Sequence, residues 1–327
     1  MRLLIIGGTR FVGRHMAESA IERGHDVTVF HRGKTGADDL PKATHILGDR
    51  DKDLANLEGQ TWDATIDACA YVPRQVKELA NALGERGGQM AFVSTVSVYA
   101  EPIPVGGDED SPLATLADKD TEEVTEETYG GLKVECERVA REVYGDTLLI
   151  VRPTYVVGPF DYTHRFTYWV ERIADGGTVL APGPRDYAIQ LIDARDQADW
   201  TIRMLEDNNA GTFHTLAPAP PFTFEDMLES IVEAVGPAGT TLEWVDADFL
   251  VRQGVEGEML PLWAGAYEGE YGIACDPARA NAAGLRPRPL TQTIQDTLAD
   301  VRQTSRAQDA ELTRAREAEI LSAWKAR

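Results

Sequence analysis

Residues 1–35 read MRLLIIGGTRFVGRHMAESAIERGHDVTVFHRGKT. An apolar run, Leu3–Ile6, stops at Gly7 and Gly8, an amphipathic segment follows to Arg23, and Gly24 closes it before a second apolar run, Val27–Phe30. Strand, glycine turn, helix and strand in this order predict the α/β class with a doubly wound parallel (Rossmann-type) sheet, in which a dinucleotide pyrophosphate rests on the N-terminus of the first helix. Gly7 permits the tight turn and Gly13 lets helix and strand approach closely, while unpaired N–H groups and the helix dipole favour negative charge at that end. Thr9, Arg10 and Phe11 lie inside the same turn.

The rhythm continues downstream. Ala64–Ala68, Met90–Val93 and Leu148–Val151 have strand length, and Ala17–Arg23, Arg74–Leu83 and Val134–Tyr144 have helical period, with Gly24, Gly84 and Gly145 as stops. Residues 1–155, with about 190–216, are expected to form the dinucleotide-binding domain, 156–189 and 217–290 a smaller substrate lobe, and 291–327 a helical tail packing Ile320, Leu321 and Trp324 on the body. The acidic segment 101–128 breaks the pattern, and a loop this long is expected to be a functional lid or a disordered excursion.

A formal charge of -22 over 327 residues repels phosphate backbones, which disfavours nucleic acid and anionic membranes as partners. Cys69, Cys136 and Cys275 are too scattered for a disulfide framework or a metal site, so a reducing, cytoplasmic setting without a metal is expected. Every apolar run falls far short of the roughly 20 residues of a membrane span, so the chain reads as soluble.

Past the second strand, where NAD-preferring folds usually place an acid for the ribose 2′-hydroxyl, the chain carries His31, Arg32 and Lys34. Arg10 and Arg32 can converge on a 2′-phosphate, which predicts NADP as cofactor, with NAD as the alternative. Further on, Tyr129 and Lys133 in YGGLK stand four apart on one helix face, where an ammonium group can stabilise a phenolate whose unperturbed pKa lies near 10. FVSTVSVYA offers Ser94, Thr95 and Ser97 at the C-terminal end of a buried strand, where a hydroxyl can hold a substrate carbonyl.

Taken in order, GGTRFVG, GDRD, STVSVY, YGGLK, VRPTYVVGP and IDARDQA resemble the motifs of the extended or atypical short-chain dehydrogenase/reductases, also called the NAD-dependent epimerase/dehydratase family. The resemblance covers residues 1 to about 200, and FHTLAPAPPFTFEDML is similar to the family's next strand and helix. It implies Tyr129 as general acid/base, Lys133 as the group that binds nicotinamide ribose and lowers the phenol pKa, and Thr95 as the family's serine or threonine, with Ser94 beside it. It also implies cofactor contacts at Gly7, Gly13, Asp49 with Arg50, Ala68, Cys69, Ala70 and Pro153, Cys69 being read as a small filler rather than a redox group.

Three departures stand out. Arg10 replaces the central glycine, which is similar to the chloroplast stem-loop-binding branch. Ile189, followed by Gln190, occupies the position of the arginine of nucleotide-sugar epimerases, with Arg185 the nearest substitute. Leu132 precedes Lys133 where a small polar residue is usual. The substrate side is expected to draw on Tyr71, Asp67, Ser97, Tyr155, Asp161, His164, Arg165, Phe166 and Trp169, which suit a planar or anionic molecule. The expected function is NADP(H)-dependent hydride transfer between nicotinamide and a secondary alcohol or ketone. A nucleotide-sugar epimerase or dehydratase with bound NAD is the enzyme alternative, and an RNA-binding or regulatory protein the third. A small molecule is the expected partner, and the resemblance implies that a homodimer, if one forms, uses a helix pair including Val134–Tyr144.

Overall fold

The computed structural model describes residues 1–36, 40–255, 257–263, 265, 272–304 and 312–327. In chain order the elements are β1 (Arg2–Ile6), α1 (Phe11–Glu22), β2 (Asp26–His31), β3 (Thr44–Leu47), β4 (Ala64–Asp67), α2 (Pro73–Leu83), β5 (Gln89–Val93), α3 (Glu126–Tyr144), β6 (Leu149–Pro153), β7 (Tyr155–Val157), α4 (Arg165–Ala174), β8 (Thr178–Pro182), β9 (Leu191–Asp193), α5 (Ala194–Glu206), β10 (Gly211–Thr215), α6 (Phe224–Val235), β11 (Thr241–Val245), α7 (Ala247–Arg252), α8 (Ala278–Ala282), α9 (Leu290–Thr304) and α10 (Arg314–Lys325).

Seven strands form one parallel sheet in the order β10-β6-β5-β4-β1-β2-β3. The pleat sends alternate residues to opposite faces. Leu3, Ile5, Val27, Val29 and Ile66 join Met16, Ala17 and Ala20 of α1 and Trp200 and Ile202 of α5 in one core, while Leu4, Ile6, Phe30, Met90 and Phe92 join Val76 and Leu79 of α2 and Cys136 and Ala140 of α3 in the other. Helices on both faces make the sheet doubly wound. The strand order reverses between β1 and β4, and open sheets of this kind receive ligands at the carboxyl ends of the strands beside that reversal.

The chain divides into two compact units. The first comprises Met1–Val156, Leu191–Ala217 and Cys275–Pro287, and the second Val157–Gln190, Pro218–Ala274 and Arg288–Arg327. These units depart from the expected boundaries in two places. Residues 275–287 go with the sheet because Ala280 and Leu285 pack in its core, and the C-terminal helices are part of the second unit rather than a separate tail. Within that second unit β8 and β11 pair in parallel, and Phe166, Trp169, Ile173, Phe224, Ile231, Ile294 and Ile320 are buried. An ion pair between Arg172 and Glu317 is buried there too, with Arg172 also donating to the carbonyls of Gly176 and Thr178.

Other differences from the sequence expectation have local causes. Helix α1 starts at Phe11, six residues before the expected Ala17, because Arg14 and His15 interrupt the apolar pattern while both pair with Glu18. The start of α3 at Glu126 is fixed by a capping box between Thr125 and Thr128, and Glu126 and Glu127 suit the positive end of the dipole. Segment 101–128 is tied in at Glu109, which is 6% exposed and accepts from the His214 amide, so its first part is a built piece of the first unit. Among the described residues no helix is long and apolar enough to cross a membrane.

Candidate active site

Gly7 has φ +85° and its amide donates to Phe30 O at 3.0 Å, which bends the chain off β1. A Cβ on Gly13 would lie 2.3 Å from Gly7 O, and one on Gly8 2.5 Å from a Val29 methyl, so only glycine lets α1 seat this close to the sheet. Arg10 is the exposed N-cap of α1 and makes no side-chain cap, the first turn contains no acid, and Phe11 is held at φ +39°. An uncapped helix start behind a glycine turn is suited to an anion, and these residues fit a dinucleotide pyrophosphate. Thr9 is buried in the same turn.

Strand β2 ends at His31, and Arg32 and Lys34 are exposed on the loop that follows. Among the described residues no carboxylate occupies the strand end. After β3, Asp49 closes a turn: its carboxylate accepts from the Asp51 amide and its own amide donates to Asp53. Arg50 points to β4 and makes a bidentate pair with Asp67 at 2.7 and 2.9 Å, with further bonds to Gln75 O and Cys69 Sγ. Arg50 is therefore committed to the sheet, and Asp67 is its buried partner. Burial pushes the Cys69 thiol above its usual pKa, which suits a filler next to Gly7, and no disulfide joins Cys69, Cys136 or Cys275.

At the ends of β4 and β5, Ala70 is buried and Ala68 and Cys69 are half-buried. Lys133 Nζ reaches them from α3, donating to Ala70 O at 3.0 Å and Val93 O at 2.6 Å, 4.3 Å from the centre of the Phe92 ring. Burial lowers its pKa, opposed by the charges of Cys136, Asp67 and Glu137. Tyr129, one turn earlier, is half-buried with its ring 6.4 Å from that of the 43% exposed Tyr71. Thr95 and Ser97 face each other at 3.1 Å beside a 3-10 turn, Val96–Val98, and Gly130 lets α3 pack on it, since a Cβ there would lie 2.1 Å from Ser97 O. Ser94 is turned away to a buried bond with Glu137 at 2.6 Å. Tyr155 is half-buried and Pro153 buried at the end of β6.

Sequence reasoning missed the buried network beneath this group. Glu137 holds Arg152 in a two-pronged pair at 2.9 and 2.6 Å, Arg152 donates to Tyr99 Oη and Glu109 O, and Tyr99 Oη bonds His214 Nε2. An arginine inside the apolar strand LIVRP was the available signal, since a buried charge requires a partner.

In the second unit, Phe166 and Trp169 are 0% exposed core residues, not ligand contacts, and Trp169 donates to Pro261 O. Asp161 is buried, accepts from the Thr163 amide and hydroxyl, and burial raises its pKa. His164 caps α4 at φ +55°, and Arg165 is exposed beside Thr163. Ile189 and Gln190 are both buried, while Arg185 pairs with Glu225 at 2.9 Å and lies over the Trp244 ring.

A seven-stranded doubly wound sheet with a glycine turn under an uncapped helix is the architecture of the dinucleotide-binding class of α/β proteins. The profile of the NAD dependent epimerase/dehydratase family matches residues 3–215, and the chain belongs to that family. It is 24% identical over 252 residues to the chloroplast stem-loop binding protein of 41 kDa b from Arabidopsis thaliana, covering 72% of this chain and 63% of the relative. A bifunctional pinoresinol-lariciresinol reductase from Sinopodophyllum hexandrum is 34% identical over 62 residues, 19% of this chain and 20% of that protein. The chain thus spans less than two thirds of the length of either curated relative. Among solved structures, the Bordetella bronchiseptica enzyme WbmH in complex with NAD+ superposes with a TM-score of 0.70 at 19% identity, covering 92% of this chain and 98% of that one. UDP-glucuronic acid 4-epimerase from Bacillus cereus in complex with NAD gives 0.68 at 15%, covering 93% and 99%. At these identities the structural likeness is one of fold.

Proposed function

We propose that this protein is an NAD(P)-dependent enzyme of the epimerase or dehydratase type, acting at a secondary alcohol carbon through Tyr129, Lys133 and Thr95. The observation that carries the reading is Lys133: an ammonium group fixed by two backbone carbonyls at the ends of β4 and β5, one helical turn from a phenol. The family and the 4-epimerase fold neighbours support epimerase-type chemistry over the net reduction expected from the residues alone.

Held at the end of α1 by the Gly7–Gly13 turn, a bound nicotinamide dinucleotide would supply hydride acceptance and donation. Tyr129 takes the proton of the substrate hydroxyl and returns it, Lys133 holds positive charge near the phenolate, and Thr95 donates to the substrate oxygen. Tyr129→Phe is expected to lower turnover by about 10²–10⁴-fold while leaving the cofactor dissociation constant within about twofold. Retained turnover overturns the mechanism.

NADP is the proposed cofactor, supported by His31 in place of an acid at the last position of β2 and by the exposed Arg32 and Lys34. Fluorescence titration is expected to show NADP binding at least about tenfold more tightly than NAD, a difference of about 1.4 kcal/mol. Equal constants, or tighter NAD, refute the preference. The plant relative's stem-loop binding favours a second reading, RNA recognition, whereas a net charge of -22 supports a small-molecule substrate.

A further inference from the structure

The loop from β2 to β3 is held by two histidines whose hydrogen bonds can all be given a direction. The Gly33 amide, which can only donate, points at His31 Nδ1 at 3.0 Å. That nitrogen must present its lone pair, so the neutral ring carries its proton on Nε2. His31 Nε2 lies 2.9 Å from His45 Nδ1, which therefore accepts, and His45 carries its own proton on Nε2, 3.0 Å from Leu40 O. The two rings meet edge to face at 5.1 Å.

This chain accommodates one ring proton per histidine and no more. A third proton on His31 Nδ1 would face the Gly33 N–H, and one on His45 Nδ1 would face the His31 N–H. His31 is 6% exposed and stands where the strand ends, and Leu40 is 2% exposed in the core beneath α1. The relay thus ties the loop at its two ends, Gly33 and Leu40. Between them lies Lys34, and Arg32 precedes Gly33.

The elements packed around the pair carry the following charged and titratable groups. The loop contributes Arg32 and Lys34, with Asp38 and Asp39 outside the described residues, and Lys42 precedes β3. Asp49, Asp51, Lys52 and Asp53 follow β3, and α1 carries Arg14 and His15, each paired with Glu18, and Glu22 at its end. Burial lowers the pKa of His31, and the charge of His45 lowers it further.

We propose that the His31–His45 pair sets cofactor specificity at the adenosine end of the site: with both rings neutral it holds the loop so that Arg32 and Lys34 meet a 2′-phosphate, and a third proton releases that grip. The proposal rests on the dinucleotide reading of the fold. It makes His31 and His45 positioning residues, and it makes NADP selectivity fall in acid.

Nitrogen-15 NMR of the ring nitrogens of the full chain, without cofactor, tests the pair itself. Both rings are expected to be neutral Nε2–H tautomers at pH 7.5, and an Nδ1–H tautomer on either overturns the proposal. Dissociation constants for NADP and NAD at pH 7.5 and 5.5 then test its consequence. In the wild type the ratio Kd(NAD)/Kd(NADP) is expected to fall about tenfold on acidification, the effect of losing about one hydrogen bond. His45→Phe should show the lowered ratio already at pH 7.5. In His45→Gln, where an amide can accept from His31 and donate to Leu40, the neutral ratio should persist with a flatter pH course. The second ionisation of the phosphate itself, near 6, is common to all three proteins. The same pH course in all three overturns the proposal. Failure of the wild type to bind either dinucleotide at pH 7.5 removes the cofactor reading, and the proposal with it, even where the NMR tautomers are as expected.

Discussion

A methyl group on Gly13 would collide with the Gly7 carbonyl, backbone against backbone, with no flexible side chain to yield. Dinucleotide-binding turns in general accept alanine at this position, so the geometry makes a sharper statement than the motif does. Gly13→Ala is expected to destabilise the protein by about 1–3 kcal/mol through overpacking and to weaken dinucleotide binding by about tenfold, because the N-terminus of α1 must shift. Thermal melts and a binding titration check the two effects, and unchanged affinity would detach the turn from the cofactor. The glycines were legible in the sequence because their spacing is local. The partners of Arg50, Ser94 and Arg152 were not, since Asp67, Glu137 and Tyr99 lie 17, 43 and 53 residues away and only the folded sheet brings them together.

The same distinction holds for elements. Strands β1, β2, β4, β5 and β6 are readable as apolar runs because both of their faces are covered by helices. Edge strand β3, with the sequence THIL, is half-exposed and carries no such signature. Helix α3 begins in a run of acids that reads as loop, and its capping box shows only once Thr125 and Thr128 are seen bonding reciprocally. Glu137 of α3 and Glu122, which precedes that helix, set a buried charge against an exposed one. Glu137→Gln leaves Arg152 buried beside a neutral partner and is expected to cost about 3–5 kcal/mol. Glu122→Ala removes an exposed pair with Arg74 and is expected to cost about 1 kcal/mol or less. Chemical denaturation of the two variants side by side tests the ranking, and equal losses would show that the Glu137 pair is not the brace described.

For the whole molecule, the response to acid follows from buried neutral histidines. Burial lowers the pKa of His214, which is fully enclosed, and of His31. The unfolded chain takes up these protons near pH 6.5, while the folded chain takes them up only at lower pH. Stability is therefore expected to decline as pH falls through 6.5 and to stop declining from this source below the depressed folded values. Melting temperatures between pH 8 and 5 measure the slope, and His214→Gln should be less stable at neutral pH yet flatter across that range. A slope unchanged in the variant would assign the acid response elsewhere. Finally, Glu109 splits the acidic segment into an inner part stitched to β6, β10 and α8 and an outer turn around residues 117–121 that is mostly exposed. Evolution can lengthen, shorten or recharge that outer turn without unpicking the stitch. Relatives on the same scaffold are thereby given a place to diverge while the interior stays as it is.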